Sequence, residues 1–408
     1  MNKSSGWIVT AAATGINLVL GVLYIWSIMS KALIKELNWS STKASLPYTV
    51  CIAAFAFVMI FAGRLQDVKG PRTGATLGGV LLGGGLILSG LVKDPFLMTL
   101  TFGVMGGAGI GFCYAATTPP AVKWFSLEKK GLISGIVVSG VGFAAVYISP
   151  LTNILIGNYG VSRAFVILGV GALLILLVLA QLLINPPQGY SAKSEGAKTK
   201  ENSAGTVEKK QYSFKEMLKT ITFYKLWIMY AFTASAGLMV IGHLAIIAKK
   251  QAQWENGFYL VVLLAVFNTL GRIIGGIVSD KYGHIGTMRI TFLIQAVNMF
   301  LFAKYLTAGS LAIGAALTGL SYGALFSIFP VATAEYYGTK NLGVNYGLLF
   351  TSWGCAGVIG PLLAGRIYDS TGSYTISYIV SAVLLIVAGL MTFTFIKSSD
   401  KGLKTKVG

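Results

Sequence analysis

Residues 265–283 read AVFNTLGRIIGGIVSDKYG, and two features of this stretch organise the rest of the chain. One is Arg272, a single cation inside a run otherwise apolar enough to span a membrane. An arginine at the centre of a membrane helix costs about 2.5–3.5 kcal/mol on insertion scales, so it normally faces a bundle interior or a watery path and marks a functional site. The other is the spacing Gly276-x-x-x-Asp280-x-x-Gly283, which recurs as Gly63-x-x-x-Asp67-x-x-Gly70 within GRLQDVKGPR. Arg72 follows the first copy and Arg289 the second. Glycine lets helices approach closely, and an aspartate at a helix end can pair with a basic group or a helix N-terminus. Two copies at matching places imply a chain of two related halves, with contacts that break and form between them.

The surrounding sequence is that of an integral membrane protein: 408 residues, 55% hydrophobic and 11% charged. Twelve stretches meet the roughly 20 apolar residues that a spanning helix needs. They run approximately over 7–29, 46–63, 73–92, 95–119, 131–157 and 162–184, then 222–248, 255–278, 287–306, 309–334, 342–365 and 374–396. The expected fold is therefore all-α, with an N-terminal six-helix bundle (1–184), a polar linker (185–219) too rich in lysine, glycine and serine to bury a core, and a C-terminal six-helix bundle (220–408). The first apolar run is too long for a cleaved signal and lacks a small-residue cleavage site, so it reads as a retained helix.

Lys+Arg total 32 against 13 Asp+Glu, a net charge of +19. The excess is spread among loops rather than gathered in a nucleic-acid patch, and it concentrates on the side that carries both termini and the linker. The positive-inside rule makes that side cytoplasmic and the protein a multi-pass component of the cell's inner (plasma) membrane. Cys51, Cys113 and Cys355 lie far apart in apolar runs without metal-ligand spacing and are expected to be packing residues. There is no G-x-x-x-x-G-K-[ST] phosphate loop, no H-E-x-x-H pair and no G-x-S-x-G elbow. Neither an enzyme nor a bound cofactor or metal is expected.

The paired Gly-x-x-x-Asp-x-x-Gly loops in a six-plus-six chain resemble the major facilitator superfamily. GVLYIWS (Gly21–Ser27) in the first stretch and KWFSLEKKGLISGIVVSGVG (Lys123–Gly142) at the fifth resemble its oxalate:formate antiporter and monocarboxylate transporter branch. In the monocarboxylate carriers of that branch, an acidic residue stands four before a substrate-binding arginine in the eighth helix. Here those positions hold Asn268 and Arg272, one turn apart on one helical face. The oxalate-exchanging members carry a second cation in the eleventh helix, where this chain has Ser352-Trp353-Gly354-Cys355. The resemblance implies a cavity walled by helices 1, 4, 7 and 10, with contributions from 5, 8 and 11. Candidate lining residues are Leu23, Tyr24, Tyr114, Thr118, Tyr147, Tyr322, Ser352 and Cys355, with Tyr114 and Tyr322 at comparable places in the two halves.

The residues add a chemical preference. Guanidinium presents a planar fork that fits a carboxylate bidentately. One cation and one monoanion leave the site nearly neutral when it closes, whereas a dianion would keep a net charge in low dielectric. Arg272 lies about 12 Å along the helix from Asp280, near mid-membrane, where carriers of this kind bind substrate. All Asp and Glu residues fall in loops, the linker, the tail or at helix ends, so the remaining candidate for moving a proton is His243 in the seventh stretch. His284 falls in a loop and is expected to have no specific role. The leading expectation is proton-coupled symport of small monocarboxylates such as L-lactate or pyruvate by a monomer. Carboxylate exchange of the oxalate/formate type and a ligand-sensing receptor on the same fold are the alternatives.

Overall fold

The computed structural model describes residues 3–187, 190 and 210–395. Among them are eleven helical runs long and apolar enough to cross a membrane. One of these, Lys130–Gln181, has 52 residues. Its length, about 78 Å at 1.5 Å per residue, is more than twice the ~30 Å thickness of a hydrocarbon core. It turns at Gly160, whose φ of 78° belongs to the left-handed region that glycine adopts without steric cost. Divided there, the described residues form twelve crossing helices, as the hydropathy pattern predicts. They are α1 (Ser5–Leu37), α2 (Ser41–Lys69), α3 (Pro71–Leu91), α4 (Pro95–Lys123), α5 (130–159) and α6 (161–181). The second set is α7 (Ile221–Gln251), α8 (Phe258–Tyr282), α9 (His284–Phe302), α10 (Ala308–Tyr337), α11 (Leu342–Thr371) and α12 (Thr375–Thr394).

Two helices depart from regular geometry, and both line the site described below. In α1, Gly21–Ile25 tightens into a 3-10 turn, and a Cβ at Gly21 would overlap Ala144 of α5. In α4, residues Thr99–Gly106 are π-helical, and the α-helix ends at Ala115 just ahead of Pro119 and Pro120. Proline supplies no N–H, so the carbonyls one turn earlier lose their helical donors. Asn17 of α1 ties this segment to α5, donating to Thr117 Oγ1 at 3.3 Å and to the Val137 carbonyl at 2.8 Å.

The two halves meet chiefly where α2 packs on α11 and α5 on α8. These seams run from the face where α6 ends and α7 begins, here called the linker face, to the depth of Arg272. The repeated motif sits at the linker end of each seam, and the structure accounts for its three fixed positions. A Cβ at Gly63 would fall 2.2 Å from the Gly343 carbonyl oxygen, and one at Gly276 would fall 2.1 Å from that of Gly131. The motif glycines are therefore where backbones of opposite halves touch. Asp67 accepts from the Gly343 and Val344 amides of α11 at 3.1 and 2.9 Å. Asp280 accepts from the Gly131 and Leu132 amides of α5 at 2.6 and 2.7 Å. Each half thus caps a helix N-terminus of the other with a carboxylate, which the helix dipole favours. Gly70 and Gly283, with φ of 86° and 76°, make the turns that follow.

The sequence suggests a flexible linker over 185–219, and most of it (188–189 and 191–209) lies outside the described residues. The part next to α7 is ordered. Ser213 and Glu216 form a capping box on the single turn Phe214–Met217, and the Ser213 donors hold the Glu216 carboxyl below its ordinary range. The Tyr212 amide donates to the Tyr337 carbonyl at 3.0 Å, and Asn341 donates to the Tyr212 carbonyl at 2.9 Å, docking this segment on the α10–α11 turn. His284 also differs from expectation. It is the first residue of α9, buried, with Nδ1 2.8 Å from Glu335 Oε2 at the end of α10.

Candidate substrate cavity between the two halves

Arg272 is 2% exposed, on the stretch of α8 gripped between α5 and α10. Small residues on both neighbours let α8 come so close: a Cβ at Gly135 would lie 2.4 Å from the Arg272 carbonyl oxygen, and one at Gly323 2.0 Å from that of Asn268. The guanidinium is held from three sides. Its Nε donates to Asn268 Oδ1 at 3.2 Å, its Nη1 donates to the Val138 carbonyl of α5, and its Cζ lies 4.4 Å above the Phe326 ring of α10. Among the described residues no carboxylate forms an ion pair with it. Of the five N–H donors a guanidinium carries, two are engaged in these bonds and three remain, enough for a bidentate carboxylate.

The cation borders a cavity of about 50 Å³ at the boundary between the halves. Leu20, Leu23, Tyr24, Phe55, Ile110, Tyr114 and Val141 line it from the first half, and Arg272, Tyr322, Phe326, Phe350 and Trp353 from the second. One water needs roughly 10–15 Å³, so the space holds several water-sized groups, the scale of a small organic acid. The Tyr322 hydroxyl accepts from Trp353 Nε1 at 2.7 Å, which leaves its own proton free to donate. Among the described residues the Tyr114 hydroxyl faces only one other polar group, the Tyr346 phenol. The cavity therefore offers one fixed cation, two phenolic donors and an otherwise apolar wall.

The structure brings Arg272, Tyr114, Tyr322, Leu23 and Tyr24 together around this space. Asn268 stands one turn away and orients the guanidinium. Other candidates lie elsewhere. Ser352 is buried but turns its hydroxyl back to the Leu349 carbonyl at 2.7 Å. Thr118 is buried outside the lining. Tyr147 is 41% exposed and donates to the Leu18 carbonyl at 2.9 Å. Cys355 is exposed, so of the three cysteines only Cys51 and Cys113 are the packing residues expected. His243 sits within the second half, Nε2 3.0 Å from the Pro361 carbonyl and Nδ1 3.0 Å from the Tyr374 hydroxyl. A carbonyl only accepts, so Nε2 carries a proton, and Nδ1 pairs with the Tyr374 hydroxyl. Sequence reasoning missed Val138, Phe326, Phe350 and Trp353. Phe350 and Trp353 lie three apart in one helix, but nothing in an apolar run tells which side turns inward.

The profile of the Major Facilitator Superfamily matches residues 7–310 and 247–408. The chain belongs to this superfamily. Its relatives include the oxalate:formate antiporter of Oxalobacter formigenes, 27% identical over 92% of this chain and 88% of that protein. Human monocarboxylate transporter 12 is 26% identical over 78% of this chain and 66% of its own length. Among solved structures, the human organic anion transporter MFSD10 superposes with a TM-score of 0.74 at 12% identity, covering 96% of this chain and all of that one. The protein is thus a multi-pass membrane transporter of the superfamily, with the two-bundle helical fold that its repeats predict.

Proposed function

We propose that this protein carries small monocarboxylates, of the L-lactate and pyruvate class, across the plasma membrane by proton-coupled symport with alternating access. The observation that supports it most is the Arg272 guanidinium, buried at the cavity with three unused donors and no carboxylate partner. A monoanion neutralises it, while the Tyr114 and Tyr322 hydroxyls are placed to meet the second carboxylate oxygen or a 2-hydroxyl and the aromatic wall holds a methyl. Among the described residues no second cation borders the cavity, so a dianion would enter it with one charge uncompensated. The names of the antiporter and monocarboxylate relatives support a carboxylate cargo. The basic loops place both termini and the linker in the cytoplasm. One bundle pair encloses the whole cavity, in keeping with a working monomer.

Exchange of carboxylates without a proton is the second reading, and the position of His243 favours it. That ring is committed to Pro361 and Tyr374 and does not line the cavity. Uptake of labelled L-lactate into proteoliposomes, with a panel of competing acids at two external pH values, separates the two. Symport requires faster uptake with an inward proton gradient, and exchange requires stimulation by internal substrate instead. Arg272→Ala abolishes uptake in either case, and normal transport by that variant removes the reading.

A further inference from the structure

Phe350 of α11 forms the floor of the cavity and is stacked on Trp353 at 5.0 Å between centroids. Three tyrosine rings surround it: Tyr114 at 5.5 Å, Tyr346 at 5.7 Å and Tyr230 at 6.3 Å. Tyr346 lies about 6 Å along α11 from its linker end and Tyr230 about 13 Å along α7, whereas the cavity residue Trp353 is about 16 Å in. By the same count Phe350 is about 12 Å in, so Tyr346 stands on the linker-face side of the floor and Tyr230 level with it, both outside the cavity lining. All three are almost fully enclosed, at 0% (Tyr230), 3% (Tyr346) and 4% (Tyr114) exposure. Their hydroxyls converge on one another, that of Tyr346 facing those of both Tyr114 and Tyr230, and among the described residues none has a partner outside the trio.

Phenylalanine would fill the same space without burying a polar atom, so packing gives no reason for three converging hydroxyls. The halves to which they belong supply one. Tyr114 is carried by the first bundle and Tyr230 and Tyr346 by the second, so separating the bundles at the linker face would part the trio and open it to the route from the cavity. We propose that Tyr114, Tyr230 and Tyr346 form a second, inner station for the substrate carboxylate, filled as that face opens. A neutral phenol donates without holding an ion as tightly as a guanidinium, which suits a site from which the anion must leave. Tyr114 touches both cavity and trio and hands the carboxylate from one to the other.

The inference rests on the carboxylate reading of Arg272 and is tested beside it. In the double variant Tyr230→Phe/Tyr346→Phe, both rings stay and only hydroxyls are lost. Purified variant should bind L-lactate with a Kd within about twofold of the parent. In proteoliposomes its L-lactate efflux should fall at least tenfold, with Tyr346→Phe alone intermediate. Unchanged efflux overturns the station. So does joint loss of binding and efflux, since the hydroxyls would then belong to the first site or to the fold. Retained L-lactate binding by Arg272→Ala removes the carboxylate reading and the station with it, whereas loss of binding there with normal efflux in the double variant removes the station alone.

Discussion

The guanidinium of Arg272 is shared between the halves: its own helix supplies Asn268 and the opposite bundle supplies Val138. A lysine can replace the charge but not the fork, and it cannot satisfy both acceptors while presenting a bidentate edge. Arg272→Lys is therefore expected to lower L-lactate uptake at least tenfold, the equivalent of about 1.4 kcal/mol of lost binding in initial-rate assays. Asn268→Asp makes a sharper test because it installs the acid that related monocarboxylate carriers have. Ionised, that carboxylate cancels the guanidinium charge and repels a second anion; protonated, it does not. Arginine at this distance favours the ionised form. The variant should accordingly take up L-lactate poorly at neutral pH and recover more steeply than the parent as external pH falls, and a profile parallel to the parent's would show that Arg272 does not receive the anion. Arg272 and Asn268 were legible in the sequence because a cation inside an apolar run is conspicuous and its helical neighbour follows by counting. Tyr147 and Cys355 were misplaced for a common reason: lipid-facing and core-facing sides of a membrane helix are both apolar, so hydropathy does not reveal which way a side chain turns. His284 was read as loop because it opens α9 directly after the Gly283 turn.

Elements were easier to read than orientations. The twelve apolar stretches all became helices, because an unsatisfied backbone in hydrocarbon leaves no alternative. Their ends ran on past the apolar residues, as in α10 to Tyr337 and α11 to Thr371, since a helix can continue into the interface with polar side chains. The close seams between α5 and α8, and between α2 and α11, were half-visible as glycine motifs, but only the structure shows that the first glycine of each motif faces a backbone of the other half. Gly276→Ala should be felt strongly, because its Cβ would fall 2.1 Å from the Gly131 oxygen, and backbone cannot swing aside as a side chain can. Overpacking of this kind typically costs ~1–3 kcal/mol. The expected outcome is a lower melting temperature in detergent and slowed transport. Gly286→Ala in the neighbouring turn of α9, where the nearest atom is Tyr282 Cβ at 3.7 Å, should behave like the parent. Equal effects of the two substitutions would mean that the α5–α8 approach is not under compression.

At the scale of the molecule, the two halves hold one another reciprocally at the linker face. Asp67 of the first caps α11 of the second, and Asp280 of the second caps α5 of the first. Every part of this closure must be released for that face to open, so its strength sets the balance between the two access states. A carboxylate at a helix N-terminus contributes ~0.3–1 kcal/mol, rising to ~2 kcal/mol where partly buried. Taking ~1 kcal/mol for each, Asp67→Asn or Asp280→Asn alone should shift the balance toward the linker-face-open state about fivefold. Because the two caps serve different helix pairs, the double variant should shift it about 25-fold. Asp67 also pairs with Lys123 of its own half, 3.9 Å away, a contact that separation of the halves leaves intact. A thiol placed at Met59, which is buried in the α2–α11 seam against Gly347, reports the opening directly. With Cys355→Ser removing the exposed native cysteine, Met59→Cys should react slowly with maleimide in the parent, faster in each single variant and fastest in the pair. A carboxylate bound at Arg272 that drives the same opening should accelerate labelling in the parent as well. If labelling rises in the variants but is indifferent to L-lactate, the aspartates close the linker face without being coupled to the cavity, and the link between binding and opening must run through Val138 or the aromatic floor instead.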